Sequence, residues 1–137
     1  MIARLALLVP LVGCGGAPPP AAQENTARET SPLEHAVHTF EEAVERAPLP
    51  NNLLMLAMAY ERVDDLERAR ATLARPQLRE LPENARGQLE ALQARLDSRS
   101  AGAPHQADPA LEERIVEWAR RVEERRDRDL HCCMVQH

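Results

Sequence analysis

The sequence predicts an all-α protein, and three observations support this fold class. Aromatic residues make up only 2% of the chain, although hydrophobic residues make up 44%. A core built mainly from Ala, Leu and Val packs well between helices and lacks the aromatic and β-branched residues that favour strands. Apolar residues also recur at helical spacing in several segments that are bounded by proline and acidic residues. At 137 residues, the chain has room for one modest domain.

The charged residues exclude several classes of function. All 17 basic residues are Arg, so the chain has no lysine amine for Schiff-base chemistry or for a phosphate-binding loop. The 22 acidic residues give a formal net charge of −5, and an acidic, aromatic-poor chain does not predict nucleic-acid binding. No Ser/His/Asp arrangement or Gly-rich phosphate loop is recognisable, so we do not expect an enzyme.

The first predicted helix begins after Ser31. Ser31 and Glu34 form a capping box, and Pro32 suits the first helical turn. A single apolar stripe follows from Leu33 to Ala47 at i, i+3, i+4 and i+7 spacing. Two prolines in the next few residues are expected to end this helix.

Two further helices are predicted before Pro76. Asn51 or Asn52 can cap the second helix. Residues 53–63 are apolar on most of the helical circumference, which indicates a helix packed between neighbours. The Asp pair at 64–65 supplies a turn and an N-cap for the third helix.

The segment LLMLAMAYERVDDLERARATL (53–73) resembles a tetratricopeptide repeat. The positions that carry the resemblance are Leu53, Leu56, Ala57, Tyr60, Ala69 and Leu73. The resemblance implies that residues 31–97 form antiparallel helical hairpins stacked as a short array, although only one whole repeat is present. A generic helical bundle is the alternative.

The C-terminal part is expected to cover one end of this array. Residues 98–107 contain the Gly, Pro and Ser of a linker, and Asp108 with the following proline starts a helix over 108–130. Its apolar half, which includes Trp118, is predicted to act as a C-terminal capping helix. Trp118 is then a core anchor, with contact to a partner as the alternative. Beyond Val122 the helix is charged all round and is expected to extend into solvent.

The first residues resemble the leader of a bacterial lipoprotein. Residues 1–13 read as a signal peptide whose apolar run is too short to span a bilayer. Leu11-Val12-Gly13-Cys14 is similar to a lipobox, which implies cleavage before Cys14, a diacylglycerol thioether on Cys14 and acylation, as with palmitate, of the new N-terminus. Residues 14–30 read as a flexible Pro/Ala-rich tether. An ordinary signal peptide that contains a Cys, or a cytosolic protein with a misread start, is the alternative.

Two expectations about location and partners follow from these resemblances. The residue after Cys14 is Gly rather than Asp, which by analogy favours the outer membrane, with the domain facing the periplasm. In the repeat family the inner face of the first helix of a repeat binds peptides or helices, so an unidentified protein partner is expected. The corresponding candidates are Asn51, Leu54, Met55, Met58 and Arg62. The alternative is that the apolar residues among them are covered by the last helix of the same chain.

The C-terminal heptapeptide HCCMVQH supports an alternative function as a periplasmic metal-binding or redox protein. Its soft ligands suit Cu(I) or Zn, and they are His131, Cys132, Cys133, Met134 and His137. Adjacent cysteines lack the spacing of a structural zinc site, so a frayed tail (131–137) or an intermolecular disulfide is the competing interpretation.

The lipid anchor can be tested by mass spectrometry of the intact protein extracted from membranes. We expect the mass of residues 14–137 with a diacylglycerol and an amide-linked acyl chain on Cys14. An unprocessed chain that still begins with Met1 and carries no lipid contradicts the expectation.

Overall fold

The computed structural model describes residues 30–134 of the chain, and within this range the chain is helical without a strand. The α-helices are α1 (Pro32–Arg46), α2 (Pro50–Arg62), α3 (Leu66–Leu73), α4 (Glu83–Ser100) and α5 (Pro109–Met134), with a 3-10 helix (Pro76–Glu80) between α3 and α4. The prediction of an all-α protein is confirmed. The predicted signal peptide and Cys14 lie outside the described residues.

Helix α1 begins as its capping residues predict. The Ser31 hydroxyl accepts from the backbone N–H of Glu34 at 3.2 Å, and the Glu34 carboxylate accepts from the Ser31 N–H at 3.0 Å. These two bonds satisfy donors that would otherwise have no partner at the helix start. The buried face of α1 consists of Ala36, Thr39, Phe40 and Ala43.

The start of α2 differs from the prediction of an Asn cap. Leu49 is the N-cap residue and makes no side-chain hydrogen bond, while Pro50 occupies the first turn. Proline suits this position because it has no N–H to satisfy and its φ is already helical. The Asn52 side chain instead donates to the carbonyl of Ala47 at 3.0 Å, at the end of α1. Pro50 therefore starts the second helix, and Asn52 ties it to the first.

Helix α2 lies at the centre of the fold. It contacts α1, α3, the 3-10 helix, α4 and α5. Its buried residues include two fully enclosed alanines, Ala57 and Ala59, whose small side chains allow neighbouring helices to approach closely. The prediction that residues 53–63 are packed between neighbours is confirmed.

A tight turn joins α2 to α3. Asp64 has a φ of 66°, in the left-handed region that Asp tolerates better than most residues. Asp65 caps α3, since its carboxylate accepts from the Arg68 N–H at 3.1 Å, as the Asp pair predicted. The short connection makes α2 and α3 antiparallel neighbours. Ala69 of α3 is fully buried in the core.

Helix α5 returns across the first hairpin and packs against α1 and α2. Leu111, Ile115 and Ala119 are buried there. Contrary to the expectation for residues after Val122, the charged half of α5 also contacts α1. Glu123 accepts from the Thr39 hydroxyl at 2.8 Å, and Arg126 donates to Glu42 at 2.9 Å.

Two boundaries near the C-terminus lie later than predicted. Helix α4 continues to Ser100, so the connection between α4 and α5 covers residues 101–108. Helix α5 continues to Met134, which makes the start of the predicted Cys/His tail helical. None of the helices that the structure describes is both long and apolar enough to cross a bilayer.

Burial of Tyr60 predicts a loss of stability at alkaline pH. Burial raises the pKa of the phenol, the hydrogen bond to the Glu41 carboxylate raises it further, and Arg68 partly opposes both. The folded chain therefore binds this proton more tightly than the unfolded chain does. The resulting stabilisation is complete below the ordinary pKa of 10.0 and is lost as the pH rises through the folded-state value.

We expect the free energy of unfolding to fall above about pH 10, and to fall less steeply in Tyr60→Phe. Urea denaturation followed by circular dichroism across this range measures both curves. Tyr60 is the only Tyr of the chain, so phenolate absorbance reports on this group alone. The chain also has no Lys whose titration would add to the pH dependence in this range. Parallel curves for the two proteins would contradict the assignment.

Candidate functional site

The residues predicted to bind a partner divide into a buried group and a surface group. Leu54 and Met58 are only 3% and 4% exposed and belong to the hydrophobic core. Asn51 is exposed and Met55 is half-buried. Leu54 and Met58 are therefore covered by other residues of the same chain, which was the alternative to contact with a partner.

Arg62, the fifth candidate, is buried by the connection between α4 and α5. Its guanidinium lies 2.7 Å from Nε2 of His105 and donates to the carbonyl of Gln106 at 2.6 Å. Its Nε lies 3.7 Å from carboxylate oxygens of both Glu61 and Glu112. These contacts are internal, so Arg62 holds the connection against the end of α2 rather than facing a partner.

Asn51 and Met55, together with the edge of buried Leu54, line a cleft of about 190 Å³, which we call the Trp118 cleft. It is formed by the first turns of α2 and α4 together with α5, and its lining residues are Asn51, Leu54, Met55, Pro82, Asn84, Ala85, Gln88 and Trp118. Asn51, Asn84 and Gln88 supply amides, each of which can donate and accept hydrogen bonds. Met55 and Trp118 supply apolar surface that is only partly covered by the core.

The first turn of α4 borders the Trp118 cleft, and within it the N–H of Ala85 donates to the carbonyl of Pro82 at 2.9 Å. Pro82 is the N-cap residue of α4, and it makes no side-chain hydrogen bond to the helix. The first N–H groups of a helix have no partner within the helix, and no side chain caps them here.

The sequence predicted only some of the residues that line the Trp118 cleft. The resemblance to tetratricopeptide repeats indicated Asn51 and Met55, and the apolar stripe of the last helix left Trp118 as either a core anchor or a partner contact. Trp118 is in fact half-buried, packed on the core and lining the cleft. Asn84 and Gln88 were not predicted. One signal could have indicated Asn84, because an Asn closely follows the proline at the start of α4 as Asn51 follows the proline at the start of α2. No family model, curated protein or solved structure matches the chain.

The structure describes the alternative C-terminal site only in part. His131 has its Nδ1 2.9 Å from the Asp127 carbonyl oxygen, and Cys132 is exposed. Successive helical residues lie about 100° apart around the axis, so these two side chains do not converge on one point. Among the described residues, no group of three or more His, Cys, Asp or Glu could hold a metal.

The other members of the tail lie beyond what is described. The side chains of Cys133 and Met134, and all of His137, are outside the described part of the chain. Binding of Cu or Zn and an intermolecular disulfide therefore stay predictions.

The burial of Leu54 and Met58 has a consequence for mutational tests of this surface. Either residue changed to Asp would place a carboxylate in the core, and we expect a loss of more than about 3 kcal/mol in the free energy of unfolding. Asn51→Asp is the matched control, because a carboxylate in the exposed first turn of α2 is favoured by the helix dipole. Urea denaturation measures all three, and an unchanged midpoint for Leu54→Asp would show that this residue is not buried.

Proposed function

We propose that the chain is a lipid-anchored cell-envelope protein whose helical domain binds a protein partner at the Trp118 cleft. The observation that carries the binding proposal is the combination of half-buried Trp118 and Met55 with three amides at one surface position. The similarity of Leu11-Val12-Gly13-Cys14 to a lipobox supports the anchor. Leu54 and Met58 are buried in the core, and Arg62 contacts residues of the same chain. The proposed binding surface on α2 is therefore its N-terminal end.

The chemistry of the Trp118 cleft suits an extended peptide segment with one apolar side chain. Its volume of about 190 Å³ is below the range of about 300–1,000 Å³ of most small-molecule sites. Trp and Met are enriched at protein interfaces, and Met adapts to side chains of different shape. The amides of Asn51, Asn84 and Gln88 can pair with the N–H and C=O groups of a peptide backbone.

The similarity to tetratricopeptide repeats supports the same location. We interpret α1 with α2, and α2 with α3, as repeat-like helical hairpins. Ala57 and Ala69 are fully buried at the positions where the family has small residues. The family binds peptides on the inner face of the helix that corresponds to α2. Here α5 packs against α2, so the part of that face left open is the end that lines the Trp118 cleft.

The length of the tether limits how far from the membrane a partner of the helical domain can be. Helix α1 begins at Pro32, directly after residues 14–30. Even a fully extended tether of that length reaches at most about 60 Å. We propose that the partner is a protein in or near the membrane to which the lipid on Cys14 anchors the chain. We propose that this membrane is the outer membrane, with the helical domain on its periplasmic side.

The binding surface can be tested by site-specific photo-crosslinking of the full lipidated chain in its membrane. A photoreactive residue in place of Asn51 or Asn84 should give the same crosslinked species, because both residues line one cleft. Glu90 is the matched control, since it is exposed on α4 about half a turn away from Gln88. The same species from Glu90, or none from Asn51 and Asn84, contradicts the proposed surface.

Once the crosslinked protein is identified, Trp118 gives a direct readout of binding. It is the only Trp of the chain, so its fluorescence reports on the cleft alone. A peptide from the partner should shift the emission of the wild-type chain, and Asn51→Ala combined with Asn84→Ala should weaken binding by about tenfold. Cys14→Ser separates the two halves of the proposal, because it should release the protein from membranes and leave peptide binding unchanged.

A further inference from the structure

The connection between α4 and α5 is held to the rest of the fold by side chains rather than by its own backbone. Its first residues close the end of α4, where Gly102 has a φ of 91° and the N–H of Ala103 donates to the carbonyl of Ser98 at 3.0 Å. From 104 to 107, no backbone group pairs with another backbone group of the described residues. We call residues 104–107 the strap.

Two arginines hold the strap, and both contact the imidazole of His105. Arg62, at the end of α2, has its Nη2 2.7 Å from Nε2 of the ring and donates to the carbonyl of Gln106 at 2.6 Å. Arg99 of α4 has its Nη1 2.8 Å from Nδ1 of the same ring. Only 2% of the Arg62 side chain is exposed, and Arg99 pairs with Asp64, so both guanidinium groups are fixed in place. The ring of His105 therefore has a guanidinium at each nitrogen.

The protonation state of His105 decides whether these contacts are favourable. A guanidinium has N–H donors and no acceptor. A neutral imidazole has one acceptor nitrogen, which takes a hydrogen bond from one of the two arginines, whereas an imidazolium has two N–H donors and no acceptor. Protonation therefore removes the one hydrogen bond that an arginine can make to the ring, and it places a third positive charge beside two guanidinium groups. Residue 105 is exposed, so the ring exchanges protons with solvent.

The other described histidines have partners of the opposite kind. Nε2 of His35 lies 2.8 Å from a carboxylate oxygen of Glu123. His38 also faces carboxylates, and Nδ1 of His131 faces a backbone carbonyl oxygen. An added proton keeps or strengthens each of these contacts. Within residues 30–134, His105 is thus the histidine whose contacts are lost on protonation.

The carboxylates near His105 do not offset this loss. Glu61 pairs with Arg95, Asp64 pairs with Arg99, and no carboxylate of the described residues forms an ion pair with His105. The charged groups of the elements packed around the ring are Glu61 and Arg62 of α2, Asp64 of the turn after it, Arg95 and Arg99 of α4, and Asp108 and Glu112 at the start of α5.

We propose that His105 is a pH-sensitive latch on the strap. When its imidazole is neutral, the strap lies on the end of α2 and fixes the start of α5. When the ring gains a proton, the hydrogen bond with the arginines is lost, and the strap and the first turn of α5 open more often. The bond from Arg62 to the Gln106 carbonyl and the pair of Arg99 with Asp64 persist, so the opening is local. The latch is independent of the proposed partner surface.

The test measures amide hydrogen exchange of the full chain by NMR at about pH 7.5 and about pH 5.5, because histidine changes charge within this range. The reporters are the N–H groups of Leu111 and Glu112, which donate to the Asp108 carboxylate and carbonyl in the first turn of α5. After correction for the intrinsic effect of pH on exchange, we expect their protection to fall at least about threefold at the lower pH, as one hydrogen bond is lost. The N–H of buried Ala57 in α2 should keep its protection.

Two variants of His105 fix the latch in one state. His105→Gln keeps an acceptor oxygen and is neutral at both pH values, so protection of Leu111 and Glu112 should no longer depend on pH. His105→Lys has only donors and is charged at both pH values, so protection should be low at both. His38→Gln is the matched control, because it removes an exposed histidine that faces carboxylates, and it should behave as the wild-type chain does.

Three results would overturn the proposal. The first is equal protection of Leu111 and Glu112 in the wild-type chain at the two pH values. The second is an equal fall in His105→Gln, which would assign the pH dependence to other groups. The third is protection in His105→Lys as high as that of the wild-type chain at about pH 7.5.

Discussion

The enclosure of α2 is the constraint on which the rest of the fold depends. This helix is apolar on most of its circumference, so a neighbour on one side cannot bury it. Helix α1 has a single apolar stripe, and it covers one side of α2, while α3, the 3-10 helix, α4 and α5 cover others. Removing water from this one helix therefore brings together elements that are far apart in the sequence.

Polar contacts determine how α5 closes this arrangement. Arg62, at the end of α2, is nearly completely buried and takes its partners from His105, Gln106 and Glu112. A buried guanidinium without partners is strongly unfavourable, and the connection after α4 passes over the end of α2 and supplies these partners. Helix α5 then returns along α1, where Glu123 and Arg126 contact Thr39 and Glu42. Its path leaves only the N-terminal end of α2 open, beside Trp118.

Helix α4 lines the Trp118 cleft near its start. Helix α4 buries only Leu92 and Leu96, so most of its polar side chains are free to face solvent or ligands. Near its start, amides and half-buried apolar groups suit a peptide. A helix that contributes little to the core thus contributes Asn84, Ala85 and Gln88 to the candidate binding surface.

Local features of the sequence determined the all-α class, the capping box of Ser31 and Glu34, the Asp65 cap and the enclosure of α2. Each depends on residues within one or two helical turns, where spacing alone predicts geometry. The start of α2 at Pro50 is also a local feature, although the sequence analysis expected an Asn cap. The internal role of Arg62 and the position of α5 on α1 were decided only by the tertiary structure. An apolar stripe indicates that a face is buried but does not identify what covers it. The resemblance to tetratricopeptide repeats indicated Asn51 and Met55, whereas the contributions of Asn84 and Gln88 depend on how α4 packs beside α2 and α5.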